Sequence, residues 1–153
     1  MGKALGCRTR PVGARTLIVA DTHALIWSVE GSDRLGPLAM EAVEKAVASD
    51  SLFVSAITPW EAEMLADRGR IAFPSGVRRW IDTLFSSRGI RLTPIEPAIA
   101  VDAGCLPGTI HGDPADRLII ATARFLACPL LTADERILDY ARQGHVAVFD
   151  ARL

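Results

Sequence analysis

Four acids in this chain stand out for their positions. Asp21 follows the apolar run TLIVA, Glu61 closes TPWE, Asp116 lies in HGDPADR and Asp134 in TADE. A single acid at the start of a helix has an ordinary structural job. It accepts hydrogen bonds from free N–H groups of the first turn and complements the helix dipole. Several carboxylates aimed at one point do something else: they hold a divalent cation, which lowers the pKa of water and relieves charge on a phosphate.

Direction separates the two roles. At 100° per residue, Glu61 falls between Met64 and Leu65 on the core side of its helix, whereas Glu63 falls with Asp67 on the wet side. Asp116 lines up with Ile119, Ile120 and Ala123, and Arg117 and Arg124 mark the wet stripe. TPWE reads as a capping box with Pro59 at the first helical position. TADE reads as another, with Thr132 as cap and Glu135 as its partner, which leaves Asp134 free. Asp21 ends a buried strand, where an unpaired carboxylate is costly. The only lysines are Lys3 and Lys45, so inward-facing acids need another compensating charge. Oxygen ligands point to Mg²⁺ or Mn²⁺, and His23, His111 and His145 lack metal-ligand spacing. Asp113 has a different task. With Pro114 after it, it fits the cap and first position of a helix, four residues before Arg117 on the wet side.

The elements needed to position these acids are legible as alternating patterns. Strands are expected at TLIVA (16–20), LFVSA (52–56), IRLTPI (90–95), PLLT (129–132) and VAVF (146–149). Between them run helical patterns over about 23–30, 37–48, 58–70, 75–89, 96–105, 114–127 and 133–144. In the helix over 75–89, Val77, Ile81, Leu84 and Phe85 share one side. Apolar strands alternating with helices predict a three-layer α/β/α sandwich around a parallel sheet of four to five strands. In such sheets the functional crevice lies beyond the carboxyl ends of the strands, where all four acids fall.

Composition sets outer limits. The chain has 153 residues, half of them apolar, with a net charge of −1, so a single domain over 16–153 is expected and any polyanion must meet a local basic patch. Fifteen of the seventeen basic residues are arginine. Cys7, Cys105 and Cys128 are odd in number and widely spaced, which argues against a disulfide framework and for a reducing cytoplasm. No apolar run is long enough to span a membrane. Residues 1–15 read as a loose N-terminal extension without the apolar core of a signal peptide.

VADTHALIW, VSAITPWEAEMLADRGRI, HGDPADRLIIATA and LLTADERILDY, in this order, resemble the successive motifs of PIN-domain ribonucleases, in particular the VapC-like toxins of bacterial toxin–antitoxin pairs. The resemblance runs from about residue 16 to the C-terminus. Transferred motif by motif, the family's acidic cluster falls on Asp21, Glu61, Asp116 and Asp134, and Thr132 matches a polar residue that supports the last acid. The resemblance implies a Mg²⁺-dependent endoribonuclease acting on RNA, silenced by a cognate antitoxin and commonly homodimeric. On that footing Asp21 and Asp116 are the main metal ligands, and Glu61 and Asp134 complete the shell. Asp113 stands in support of the motif. Arg68, Arg70, Arg78, Arg79 and Arg117 are candidates for RNA phosphates. Trp60, Trp80 and Phe85 are candidates for a groove that takes an amphipathic antitoxin segment.

Rival classes lack their residues. A receiver domain needs an acidic pair near the first strand and a late lysine, and a dehalogenase-like phosphatase needs D-x-D where this chain has Asp21-Thr22-His23. A degenerate PIN-like module that binds RNA or protein without catalysis is the remaining alternative. It is expected to have lost acids, and none is lost here.

Overall fold

The structure, a computed structural model, describes residues 16–153, and the extension expected over 1–15 lies outside them. Along the chain the elements are β1 (Ile18–Ala20), α1 (Thr22–Glu30), α2 (Pro37–Ala48), β2 (Leu52–Ser55), α3 (Thr58–Asp67) and α4 (Val77–Ser86). They continue as β3 (Ile90–Thr93), α5 (Pro97–Gly104), α6 (Pro114–Leu126), β4 (Leu130–Thr132), α7 (Glu135–Ala141) and β5 (Val148–Asp150). The five strands form one parallel sheet in the order β3-β2-β1-β4-β5. Strand order reverses at β1, with β2 and β3 to one side and β4 and β5 to the other, so the switch point lies between β1 and β4, where Asp21 ends the first strand.

The period of two in the strands divides the core. Ile18, Ala20, Leu52, Val54 and Leu131 pack on one face against Ala24 and Leu25 of α1 and Ala39, Val43 and Ala46 of α2. Val19 and Leu130 face the other way, against Ile119, Ile120 and Ala123 of α6 and Ile137 and Tyr140 of α7. This is the expected three-layer sandwich, with all five strands in place. Burial on both faces holds for the central strand but not for β3, where Arg91 and Leu92 are exposed at the edge of the sheet. In α4 the expected stripe is graded: Val77 and Leu84 are buried, Ile81 and Phe85 half-buried. The last strand starts two residues later than the apolar pattern suggests, because Val146 is spent on the α6–α7 core.

Helix α5 forms an outer layer on α6, with Ile99 and Ala103 against Leu118 and Ala121. This packing corrects the wet stripe assigned to α6. Arg117 donates to the carbonyls of Ala103 (2.8 Å), Gly104 (3.2 Å) and His111 (3.4 Å), so it satisfies the free carbonyl end of α5. Arg124 pairs with Asp102 at 2.8 Å. Both guanidiniums staple α5 down instead of facing solvent, and Arg117 makes no side-chain pair with Asp113.

Gly89 closes the turn into β3 with φ +94°, and a Cβ there would come within 2.2 Å of the Val47 carbonyl oxygen. Gly89→Ala should therefore cost at least about 2 kcal/mol, from backbone strain and from a backbone clash that no side-chain rotation relieves. A urea titration against the parent protein checks this.

Candidate active site

The carboxyl edge of the sheet opens into a cleft of about 430 Å³. Its lining includes Asp21, Glu61, Asp113, Asp116 and Asp134, together with His23, Trp60, Arg68, Arg70 and Arg136. Each acid arrives from a different element. Asp21 sits between β1 and α1, where its N–H donates to the Leu131 carbonyl (2.9 Å) and its carbonyl accepts from Leu25 (2.9 Å). The residue is only 3% exposed, and its carboxylate accepts the Thr132 hydroxyl at 2.7 Å. Thr132 in turn accepts the Asp134 N–H at 3.1 Å, so this threonine steadies the first acid and the start of α7 together. Glu61 comes from the first turn of α3 and is half-buried, while Glu63 is exposed, as their directions require. Asp116 comes from the first turn of α6, on the cleft side.

Capping is distributed differently from the sequence expectation. Asp113 does cap α6 as expected, through Oδ1, which accepts from Ala115 (2.9 Å) and Asp116 (3.2 Å). Asp134 is not free. It caps α7 through Oδ1, accepting from Arg136 (2.8 Å) and Ile137 (3.3 Å), while Glu135 pairs with Arg152. Thr58 makes no cap either. It is fully buried and accepts the Thr22 hydroxyl at 3.1 Å, which ties α1 to α3 beneath the cleft. The helix begins at Thr58, with Ile57 before it as cap, so Pro59 stands in the first turn one position later than expected.

Electrostatics follow from this crowding. Burial, followed by the charges of Asp21, Asp116 and Asp113, pushes the Glu61 carboxyl up to about 8. Burial and the charges of Asp21, Asp113 and Asp134 push Asp116 up to about 7, with Arg136 a small opposing influence. Asp21 is raised as well, chiefly by burial, against the lowering effect of the Thr132 hydroxyl. Carboxyls held this far above their ordinary range mark a site short of positive charge.

Among the described residues, one group of metal-ligating side chains places its ligand atoms within 4.8 Å of one another, and it consists of Asp21, His23 and Glu61. His23 is the residue that sequence spacing missed. It lies two positions after Asp21, at a separation that only the turn from strand to helix folds back onto the acid. Arg136 was missed too. It sits in the first turn of α7 beside Asp134 and lines the cleft. Of the five arginines proposed for RNA, Arg68 and Arg70 line this cleft. Arg78 and Arg79 project from α4 outside it, Arg79 onto a separate hollow with Phe73 and Trp80. Arg117 is committed to α5, as above. The three aromatic residues do not share a groove. Trp60 lies on the acid cleft, 52% exposed, Trp80 packs on Phe73, and Phe85 leans on the core beneath α4.

The fold and the cleft define the class: an open parallel α/β sandwich carrying a carboxylate centre at its switch point. The PIN domain profile matches residues 18–143. This chain belongs to the PIN-domain family. It is 35% identical over 134 residues to Ribonuclease VapC22 of Mycobacterium tuberculosis, a match that covers 88% of this chain and 99% of that protein. Among solved structures, VapBC2 from Rickettsia felis bound to a promoter DNA fragment superposes with a TM-score of 0.61 at 15% identity. That alignment covers 87% of this chain and 97% of the other. FitAcB from Neisseria gonorrhoeae gives 0.58 at 19% identity, covering 88% and 98%.

The raised acids set a pH dependence. Glu61 and Asp116 bind protons more tightly in the folded state than in the unfolded chain. The stability they lend is complete below their ordinary values of 4.5 and 3.8, and it is lost as pH rises through about 8 and about 7. Without divalent cations, the melting temperature should fall between pH 5 and pH 8. Asp116→Asn should flatten that fall and melt higher than the parent at pH 8. Differential scanning fluorimetry in EDTA across the pH range checks both.

Proposed function

We propose that this protein is a divalent-cation-dependent endoribonuclease that hydrolyses RNA phosphodiester bonds, and that it acts as the toxin of a toxin–antitoxin pair in the cytoplasm. The observation that carries the reading is the convergence of Asp21, Glu61, Asp113, Asp116 and Asp134 on one cleft, with three carboxyls driven upward by burial first and by neighbouring acids second. The donor set suits Mg²⁺, with Mn²⁺ as a substitute, because it is dominated by carboxylate oxygens. Similarity to a VapC ribonuclease along nearly the whole of both chains supports the same chemistry.

In this reading Asp21 and Asp116 are the principal ligands, and Glu61 completes the shell. Asp134 and Asp113 each retain Oδ2 for an outer contact, since Oδ1 of each is spent on a cap. When bound, the cation supplies charge relief at the phosphate and a lowered pKa for the attacking water. Arg68, Arg70 and Arg136 hold the phosphates of the strand at the rim. Trp60, exposed beside Glu61, offers a ring on which an unpaired base stacks. His23 and Arg70 also line an adjoining hollow of about 470 Å³ with Trp27 and Arg34, which gives the strand a path away from the acids. The fully retained acid set favours catalysis over a degenerate binding module.

A cognate antitoxin and a second copy of the chain complete the proposal for partners. The solved structures that share this fold include VapBC2 of Rickettsia felis and FitAcB of Neisseria gonorrhoeae. Co-expression with a small upstream DNA-binding protein should yield a stable complex and relieve growth arrest.

Purified protein should cleave single-stranded RNA in Mg²⁺ and lose cleavage in excess EDTA. Asp116→Asn should lose at least about a hundredfold in rate while remaining folded, whereas Asp113→Asn, which keeps a competent cap, should retain most of it. Equal cleavage by the parent in EDTA overturns the metal mechanism, and normal cleavage by Asp116→Asn overturns that residue's role.

The arginines make a second test. Arg136→Ala should weaken RNA binding and reduce the slope of log affinity against log salt by about 0.7, the loss of one phosphate contact on a single strand. Arg78→Ala, outside the cleft, should leave the slope unchanged. Fluorescence anisotropy with a labelled oligonucleotide in Ca²⁺ reads both.

A further inference from the structure

The segment before α6 holds a side chain that the chemistry above leaves unused. The ring of His111 lies behind Asp116, with Nε2 3.3 Å from Asp116 Oδ2. That nitrogen is sealed from solvent and has no hydrogen-bond partner, because the carboxylate is close enough but poorly aligned. The other ring nitrogen decides the tautomer. Nδ1 accepts the Asp113 N–H at 3.3 Å, so it carries no proton, and the neutral ring bears its hydrogen on Nε2, facing Asp116. A buried N–H with one acceptor in reach is satisfied by a small rotation of that acceptor.

The ring is also fixed from behind. The His111 carbonyl accepts from Arg117, whose other guanidinium nitrogens hold the Ala103 and Gly104 carbonyls at the end of α5. Arg117, His111 and Asp113 therefore bind this short loop to two helices, and the buried, unpartnered Nε2 of the ring lies beside Asp116 Oδ2. An acid ligand gripped at one oxygen presents the other in a single orientation, and partners of this kind tune affinity for a cation.

We propose that His111 is a positioning residue for Asp116: its Nε2–H holds one carboxylate oxygen of Asp116 and leaves the other directed to the cation. The inference rests on the reading above that Asp116 is a cation ligand, and the experiment separates the two. Two substitutions divide the ring's functions. His111→Asn keeps an acceptor for the Asp113 N–H and removes the distal donor. His111→Gln keeps an amide donor at the distal position. Mn²⁺ alone is titrated into each full-length variant by calorimetry, without RNA, and melting in EDTA reports folding.

The expected result is a 10- to 100-fold weaker Mn²⁺ affinity for His111→Asn and recovery of most of that loss in His111→Gln. A merely structural histidine would lower the melting temperature and leave the affinity of the folded protein unmoved. Parental affinity in His111→Asn overturns the proposal, as does a His111→Gln that binds no better than His111→Asn. Asp116→Asn is the control. If it binds Mn²⁺ like the parent, Asp116 is no ligand and both readings fall. If it loses Mn²⁺ while His111→Asn does not, this inference alone is overturned.

Discussion

A carboxylate buried at the end of the central strand is the constraint to which the rest of this molecule answers. Asp21 is fastened through its main chain to β4 and to the first turn of α1, and through its side chain to the Thr132 hydroxyl. None of these contacts neutralises its charge. Placing an acid there without a lysine or arginine in direct contact is expensive, so the surrounding elements must either keep it protonated or provide for a cation. The raised carboxyls of Asp21, Glu61 and Asp116 reflect the first response.

The parallel sheet makes this crowding unavoidable. Every strand of the sheet releases its chain at the same edge, and most of the helices that follow point their N-termini back towards it. Helix N-termini favour acids, so α3, α6 and α7 each deliver a first-turn or cap carboxylate to one side of the molecule. The oxygen atoms are then divided. Asp113 and Asp134 use Oδ1 for capping, and this anchors their helices and fixes the direction of the remaining oxygen. In the proposed reading, capping and outer contacts to the cation thus fall to different oxygens of the same side chains.

Arginine does the opposite work around the rim. Arg117 and Arg124 are drawn inward by the unsatisfied end of α5 and by Asp102, and they become part of the scaffold. Arg68, Arg70 and Arg136 keep their charge on the cleft. The chain has a net charge near zero, so any attraction for a polyanion has to come from this placement and not from the overall balance.

How much of this could be read from the sequence varies with the range of the interaction. Strand and helix positions, the parallel sandwich and the inward direction of Glu61 follow from periodicities of two and 3.6, which are local properties of the chain. Pro59 and the Asp113-Pro114 pair announce helix starts for the same reason. Only the tertiary structure brought His23 against Glu61 and His111 behind Asp116, turned Thr132 to Asp21, and pulled Arg117 under α5. Sequence distance hides such contacts, because each depends on where a second element's unsatisfied groups come to rest. A buried donor or acceptor takes whichever partner packing supplies, and packing is decided by the whole fold.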